Sequence, residues 1–274
     1  MELKDTCAIV TGGSSGIGLA IAERLVRRGA NVFLVARRRD QLERASTELR
    51  KNVVNSSQRI GFFSADVADL DSVQEAVKAA QSECGLVSLL VNSAGVSLPG
   101  YIEKLPIPSI ETEIKVNYFG TVYMIKQVLN GMMERKQGWI LNVSSLAGLK
   151  GIFGYAGYSG SKFAVVGFSE VLRSEVRPYN IKVCVLCPPD VDTPMLRDET
   201  KIKPVETLRI SEGAKLMQAE DVARAALEGL ERGTFLIIPN FSGKMFNIVN
   251  RFMPSLVDAI INNTIDKVRK ERGL

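Results

Sequence analysis

The sequence predicts an α/β fold: a doubly wound, Rossmann-type sheet of seven parallel strands flanked by helices. Three observations lead to it. Seven short apolar runs, at 8–10, 31–35, 60–63, 86–91, 139–143, 181–186 and 235–238, alternate with segments at 20–28, 42–51, 72–83, 110–135, 159–177 and 219–231. In those segments apolar residues recur every three or four positions, the period of a helix. The short runs are apolar almost throughout, as strands buried on both faces are. Alternating strands and helices connect by right-handed crossovers, and ligands bind beyond the carboxyl ends of such strands.

The chain has 274 residues, 46% of them apolar, with no low-complexity tract or internal repeat, which fits an ordered protein with a sizeable core. One catalytic domain at 1–240, followed by a helical extension at 241–274, is the expected organisation. Residues 1–5 run straight into an apolar strand of about six residues, too short for a signal sequence or a membrane span, so a cytoplasmic location, peripheral to a membrane in the alternative, is expected. The net charge is +5, and its clusters Arg27-Arg28 and Arg37-Arg38-Arg39 favour a small anionic ligand over nucleic acid. Arg27-Arg28 reads as the solvated face of a helix. The absence of histidine removes Ser-His-Asp and Cys-His catalysis and His-ligated zinc, and no metal site is expected. Acid–base chemistry must then come from Tyr, Lys, Asp or Glu.

The first strand passes through Thr11-Gly12-Gly13-Ser14-Ser15-Gly16-Ile17-Gly18 into a helix. Glycine at 12, 16 and 18 lets the backbone turn tightly and approach a pyrophosphate at the helix N-terminus; a purely structural turn is the alternative. The spacing is Gly-x-x-x-Gly-x-Gly rather than Gly-x-Gly-x-x-Gly, and no Gly-Lys-Ser/Thr marks a P-loop. The second strand ends in Val35-Ala36-Arg37-Arg38-Arg39, where a dinucleotide site normally places an acid for the ribose hydroxyls. A guanidinium suits a 2′-phosphate, so Arg37 points to NADP(H), with helix-end charge as the alternative. Asp66, after the third strand, is placed to meet an adenine amino group or to cap the helix beginning near Asp69.

Asn92-Ser93-Ala94-Gly95 follows the fourth strand, Asn117 lies in the long helix, and Ser144-Ser145 follows the fifth strand. Tyr158 and Lys162 then stand at i and i+4 on one helix face. A neighbouring ammonium stabilises phenolate and lowers a tyrosine pKa from about 10, so the pair makes an acid–base unit. Tyr155 lacks a lysine four residues on. Cys184 and Cys187, in the sixth apolar run, point to opposite faces and read as buried structural thiols.

This ordered set resembles the short-chain dehydrogenase/reductase family over nearly the whole chain, to about Pro239. Ser145 precedes Tyr158 by thirteen positions and Asn117 by forty-one, as the family pattern implies, while Ser144 has the wrong spacing. The resemblance implies that Tyr158 exchanges a proton with the substrate oxygen and that Lys162 lowers its pKa and holds the nicotinamide ribose. It further implies that Ser145 hydrogen-bonds the reacting carbonyl and that Asn117 supports a water path. Cofactor contacts are implied for Gly12, Ser14, Ser15, Gly16, Ile17, Gly18, Arg37, Asp66, Val67, Asn92, Ala94, Gly95, Tyr158, Lys162, Pro188, Val191 and Thr193. The last two would meet the nicotinamide carboxamide, and a homodimer or homotetramer is implied as well. Where the family has Pro-Gly this chain has Pro188-Pro189, and the second proline removes an N–H and stiffens the loop.

The stretch Pro188-Pro189-Asp190-Val191-Asp192-Thr193-Pro194, continued by Lys203-Pro204-Val205-Glu206-Thr207 and Ile210-Ser211-Glu212, resembles the branch of 3-ketodihydrosphingosine reductases. That branch implies NADPH-dependent reduction of a long-chain β-keto amino lipid. A general carbonyl reductase or alcohol dehydrogenase acting on steroid, sugar or acyl β-keto substrates is the alternative. A cofactor-sensing binding protein without turnover is the reading from another class. Beyond Pro239, Met245, Phe246, Val249, Phe252, Met253, Leu256, Val257, Ile260 and Ile261 fall at helical spacing interrupted by Pro254, beside Lys244, Arg251, Lys267, Arg269, Lys270 and Arg272. Such a stripe is expected to pack against another subunit or over the substrate cleft; contact with an anionic membrane surface is the alternative.

Overall fold

The computed structural model describes residue 4, residues 6–212 and residues 215–273; of the N-terminal segment 1–5, all but Lys4 lie outside the described residues. The strands are β1 (Cys7–Thr11), β2 (Asn31–Ala36), β3 (Ile60–Ser64), β4 (Val87–Asn92), β5 (Gly138–Val143), β6 (Ile181–Leu186) and β7 (Leu236–Ile237). The α-helices are α1 (Gly16–Val26), α2 (Arg39–Arg50), α3 (Leu70–Cys84), α4 (Ile107–Glu113), α5 (Gly120–Glu134), α6 (Ala156–Val176), α7 (Pro194–Thr200), α8 (Val205–Ser211), α9 (Ala219–Arg232), α10 (Phe241–Phe252) and α11 (Pro254–Glu271).

The seven strands pair in parallel in the order β3-β2-β1-β4-β5-β6-β7. The winding reverses between β1 and β4, and a crevice opens beyond their carboxyl ends because the crossovers leave in opposite directions. The predicted doubly wound sheet is therefore present. Along β1, Ala8 and Val10 turn to one face and Cys7 and Ile9 to the other, the two-residue period of a strand. Leu25 of α1, Leu42 of α2 and Leu227 of α9 cover the first face. Val77 of α3, Met124 of α5 and Leu172 of α6 cover the second. Each large side chain enclosed this way contributes about 1.5–3 kcal/mol relative to exposure.

Two readings of surface and core are matched. Arg27 pairs with Glu23, and Arg28 with Glu231, each 2.6 Å apart, on the solvated side of the sheet helices. Cys184 and Cys187 are free, buried and packed into clusters on opposite faces.

The expected continuous helix at 110–135 is instead interrupted. A π-helical turn, Ile114–Phe119, separates α4 from α5 and contains Asn117. There Thr121 Oγ1 donates to the Asn117 carbonyl at 2.8 Å, and Gly120 lets Val67 approach so closely that a Cβ would meet its Cγ2 at 2.7 Å. Such turns are frequent at functional sites. The proline-rich stretch after β6 also folds further than its sequence pattern predicts, into α7 and α8. These are too short to show a period, and α7 is started by Thr193, whose Oγ1 accepts the Leu196 N–H.

α10 and α11 return over the rim of the crevice. Asn250 Nδ2 donates to the Leu149 carbonyl at 3.1 Å, Lys150 pairs with Asp258, and Arg209 of α8 pairs with Glu271 at 3.1 Å. Pro254 opens α11, where its missing N–H costs nothing. No helix among the described residues is long and apolar enough to cross a membrane.

Candidate active site

A cavity of about 710 Å³ occupies the crevice. At one end lies the glycine turn. Gly12 has φ +63°, and a Cβ there would lie 2.8 Å from the Ala94 nitrogen; a Cβ on Gly18 would lie 2.5 Å from the Gly12 carbonyl oxygen. Glycine at these positions lets the turn close against the 93–94 backbone and against α1. Ser15 precedes α1 without a side-chain cap, which leaves the first N–H groups of the helix available to an anion. Ser14, Ser15, Gly16 and Ile17 line the cavity here, with Arg37, Asp66 and Val67. Arg38, which the sequence reading did not single out, lines it too. Of the two roles considered for Asp66, helix capping falls to Asp69, which accepts the Asp71 N–H; Asp66 Oδ1 accepts the Ala68 N–H at 2.9 Å.

Three residues expected at the site do not line the cavity. Asn92 donates to Asn142 Oδ1 at 2.9 Å, and Asn142 donates to Ser169 Oγ at 2.8 Å, so Asn92 is a strut between β4, β5 and α6. Gly18 serves packing. Asn117, 1% exposed, accepts the Val96 N–H at 2.8 Å and donates to the Val96 carbonyl and to Ser161 Oγ, both at 2.9 Å. Its amide is engaged at both ends, which suits a clamp between the loop after β4 and α6 better than a side chain holding water. Ala94 and Gly95 do line the cavity, and their loop is anchored by Thr11, whose Oγ1 accepts the Ser93 and Ala94 N–H groups, both at 3.1 Å.

Ser145, Tyr158 and Lys162 meet on the cavity wall. Lys162 Nζ donates to the Val143 carbonyl at 3.0 Å and lies 5.6 Å from the centroid of the Tyr158 ring. Burial lowers the Lys162 pKa to about 8, against the opposing pull of Cys187 and Glu113. The Tyr158 phenol moves up from its ordinary value, not down as the lysine spacing suggested. Desolvation is the largest cause, the Glu199 charge the next, and Asp190 and Glu113 add to it, while a hydrogen bond with Ser145 opposes. An ammonium at i+4 is outweighed when the phenol is desolvated among carboxylates.

Those carboxylates are what the sequence reading missed. Tyr155 donates to Glu199 Oε1 at 2.9 Å, and Lys203 Nζ reaches the same oxygen at 2.9 Å and Asp190 Oδ2 at 4.0 Å. Glu113 Oε1 accepts the Leu98 N–H at 2.8 Å, its Oε2 is buried without a partner, and desolvation lifts its pKa to about 7. Spacing along the chain tests Tyr155 only for a lysine four residues on, not for a carboxylate from a distant segment. Glu113 and Glu199 are single acids in short helices, with no period to show that they face inward.

Pro188, Val191 and Thr193 line the cavity opposite the glycine turn, and a Cβ on Gly16 would meet Thr193 Cγ2 at 3.0 Å. Among the described residues no group of His, Cys, Asp or Glu is arranged to hold a metal.

The uncapped N-terminus of α1, the close-packed glycine turn and the arginines at one end of the cavity fit a nicotinamide dinucleotide, with Tyr158 and Ser145 further along the same space. Comparison with known proteins agrees. Residues 6–203 match the family model described as short chain dehydrogenase. The chain is 44% identical over 236 residues to a 3-ketodihydrosphingosine reductase of Mus musculus, covering 86% of this chain and 71% of that one. It is 43% identical to a 3-dehydrosphinganine reductase of Danio rerio over the same shares. A crystal structure of a short-chain dehydrogenase/reductase from Burkholderia phymatum in complex with NAD superposes with a TM-score of 0.82 at 25% identity, over 93% of this chain and 96% of that one. The chain belongs to the short-chain dehydrogenase/reductase family of oxidoreductases, which work with a nicotinamide cofactor.

Proposed function

We propose that the chain is an NADPH-dependent reductase of the 3-keto group of a long-chain lipid such as 3-ketodihydrosphingosine. The observation that carries this reading is one continuous cavity. It runs from Arg37 and the glycine turn, past Ser145 and Tyr158, to apolar walls formed by Leu98, Ile152, Ile202, Ile210 and Phe246. The names of the relatives at 43–44% identity support the same substrate class.

When bound, NADPH supplies the hydride. Arg37 and Arg38 would hold a 2′-phosphate, and the open N–H groups of α1 the pyrophosphate. Ser145 donates a hydrogen bond to the ketone oxygen, and Tyr158 gives that oxygen its proton. A phenol whose pKa is raised is fully protonated at neutral pH, the state a proton donor needs. Lys162 presents positive charge toward the phenolate left behind, and Asn117 and Thr11 hold the walls in place.

We further infer that α10 rests on an anionic membrane surface. Phe241, Met245, Ile248 and Phe252 are exposed at intervals of four, three and four residues, one outward face, with exposed Lys244 and Arg251 beside them. On the inner face of the same helix Gly243 and Phe246 line the cavity, so packing over the cleft and membrane contact use opposite sides of one element.

The functional reading is tested by following cofactor oxidation with 3-ketodihydrosphinganine and a panel of other ketones, using NADPH and NADH in parallel. Turnover of the lipid with NADPH is expected. No turnover of the lipid, beside efficient reduction of a steroid, sugar or acyl β-ketone, would move the function to general carbonyl reduction.

A further inference from the structure

Besides Lys162, the cavity wall near Tyr158 carries a second group of charges. Asp190 and Glu199 present two carboxylates to a single ammonium, that of Lys203, and the sharing is unequal: Nζ lies 2.9 Å from Glu199 and 4.0 Å from Asp190. Glu199 also takes the Tyr155 hydroxyl. Lys203 and Glu199 are enclosed, at 2% and 8% side-chain exposure, whereas Asp190 keeps 40% of its side chain open and lines the cavity. Lys203 is thus committed to Glu199, and the carboxylate left without a close counter-ion is the one facing the ligand space. On the cavity wall as well, Ser97 is 8% exposed and buries its hydroxyl oxygen without a partner.

We propose that Asp190 is a specificity residue that binds a primary ammonium on the carbon next to the reacting ketone, so that the cavity selects amino ketones over plain ones. The inference rests on the reading of the cavity as a lipid-ketone reductase site and adds how the polar end of the lipid is recognised. The placement suits the chemistry. An ammonium adjacent to the carbonyl must lie close to whatever holds the carbonyl oxygen, and Asp190 acts electrostatically on Tyr158 itself. Desolvation above all, with the charges of Glu199, Asp190 and Glu113 adding to it, holds the Tyr158 proton tightly. A cation carried in by the substrate offsets that hold and eases transfer of the proton to the ketone oxygen. The polar end of the substrate then does two things: it binds, and it prepares the donor.

The test compares 3-ketodihydrosphinganine with 1-hydroxyoctadecan-3-one, which keeps chain, hydroxyl and ketone but lacks the amine. Wild-type protein is expected to favour the amine by about 10- to 100-fold in kcat/KM, the range of one charge-assisted hydrogen bond. Asp190→Asn should erase that preference by lowering kcat/KM for the amino ketone without lowering it for the plain one. Asp190→Glu, which keeps the charge, should restore part of it. In parallel, calorimetric titration with sphinganine, the amino diol product, should weaken by a comparable factor in Asp190→Asn, with circular dichroism verifying the fold. An unchanged preference, or an equal loss on both ketones, overturns the subsite. If neither ketone is turned over by wild type, the functional reading falls, and the titration still decides the subsite: sphinganine binding that ignores Asp190→Asn overturns it.

Discussion

Lys162 Nζ stands 5.6 Å from the centre of the Tyr158 ring while it donates to the Val143 carbonyl, so the lysine is tethered to β5 and faces the tyrosine at the same time. Its pKa, lowered to about 8 by burial, means that the ammonium is present below that pH and lost above it. The reductase rate is expected to fall as the pH rises through about 8. A kcat that stays level to about pH 10, well past that titration, would show that the charge on Lys162 is not needed.

Tyr158→Phe keeps the ring and its packing against Tyr155, whose centroid is 5.5 Å away, and removes only the hydroxyl. A loss of about 10²- to 10⁴-fold in kcat is expected, with cofactor affinity changed by less than about threefold. Turnover at the wild-type rate would remove Tyr158 as the proton donor.

Arg37 lines the end of the cavity where β2 closes, a position without a carboxylate. Arg37→Ala should weaken NADPH binding by about tenfold or more and leave NADH binding nearly untouched, because only the former carries a 2′-phosphate for a guanidinium to grip. Fluorescence titration of both cofactors checks this. Equal weakening of the two would make Arg37 a general surface charge.

Glu113 links pH to stability. Its pKa rises from 4.5 to about 7 on folding, because desolvation outweighs the Leu98 N–H and the Lys162 charge, and Glu199 adds repulsion. Between those values the folded chain holds a proton that the unfolded chain has released. The stabilisation is therefore complete below about pH 4.5 and is lost as the pH rises through about 7. Glu113→Gln cannot ionise, so its Tm relative to wild type should be more favourable at about pH 8 than at about pH 5. The same difference at both pH values would mean that Glu113 does not titrate in this range.

The outer face of α10 is expected to bind vesicles containing anionic lipid and not neutral ones, with high salt releasing it. Phe241→Ser with Phe252→Ser should abolish vesicle sedimentation without altering the turnover of a detergent-dispersed substrate. Equal binding of the double variant and wild type would assign this face to something other than a membrane.

Sequence by itself determined the sheet. Apolar runs such as Ile181–Leu186, spaced by helical periods, bury on both faces in only a few ways, and local glycine chemistry placed the turn of Gly12, Gly16 and Gly18 at the switch between β1 and β4. The pairing of Tyr158 with Lys162 and its alignment with Ser145 were legible too, because both follow from spacing along regular elements. Tertiary structure alone decided which polar groups face one another. Asn92, Asn117 and Gly18 became supports because their hydrogen bonds and close contacts point between elements. Asp190 and Glu199 converged on the cavity wall, with Lys203 paired to them and Glu113 acting on Tyr158 from another segment of the chain. Charges distant in sequence interact through the space that the fold encloses, and desolvation there, which no spacing encodes, moved the Tyr158 phenol in the direction opposite to the one its neighbouring lysine implied.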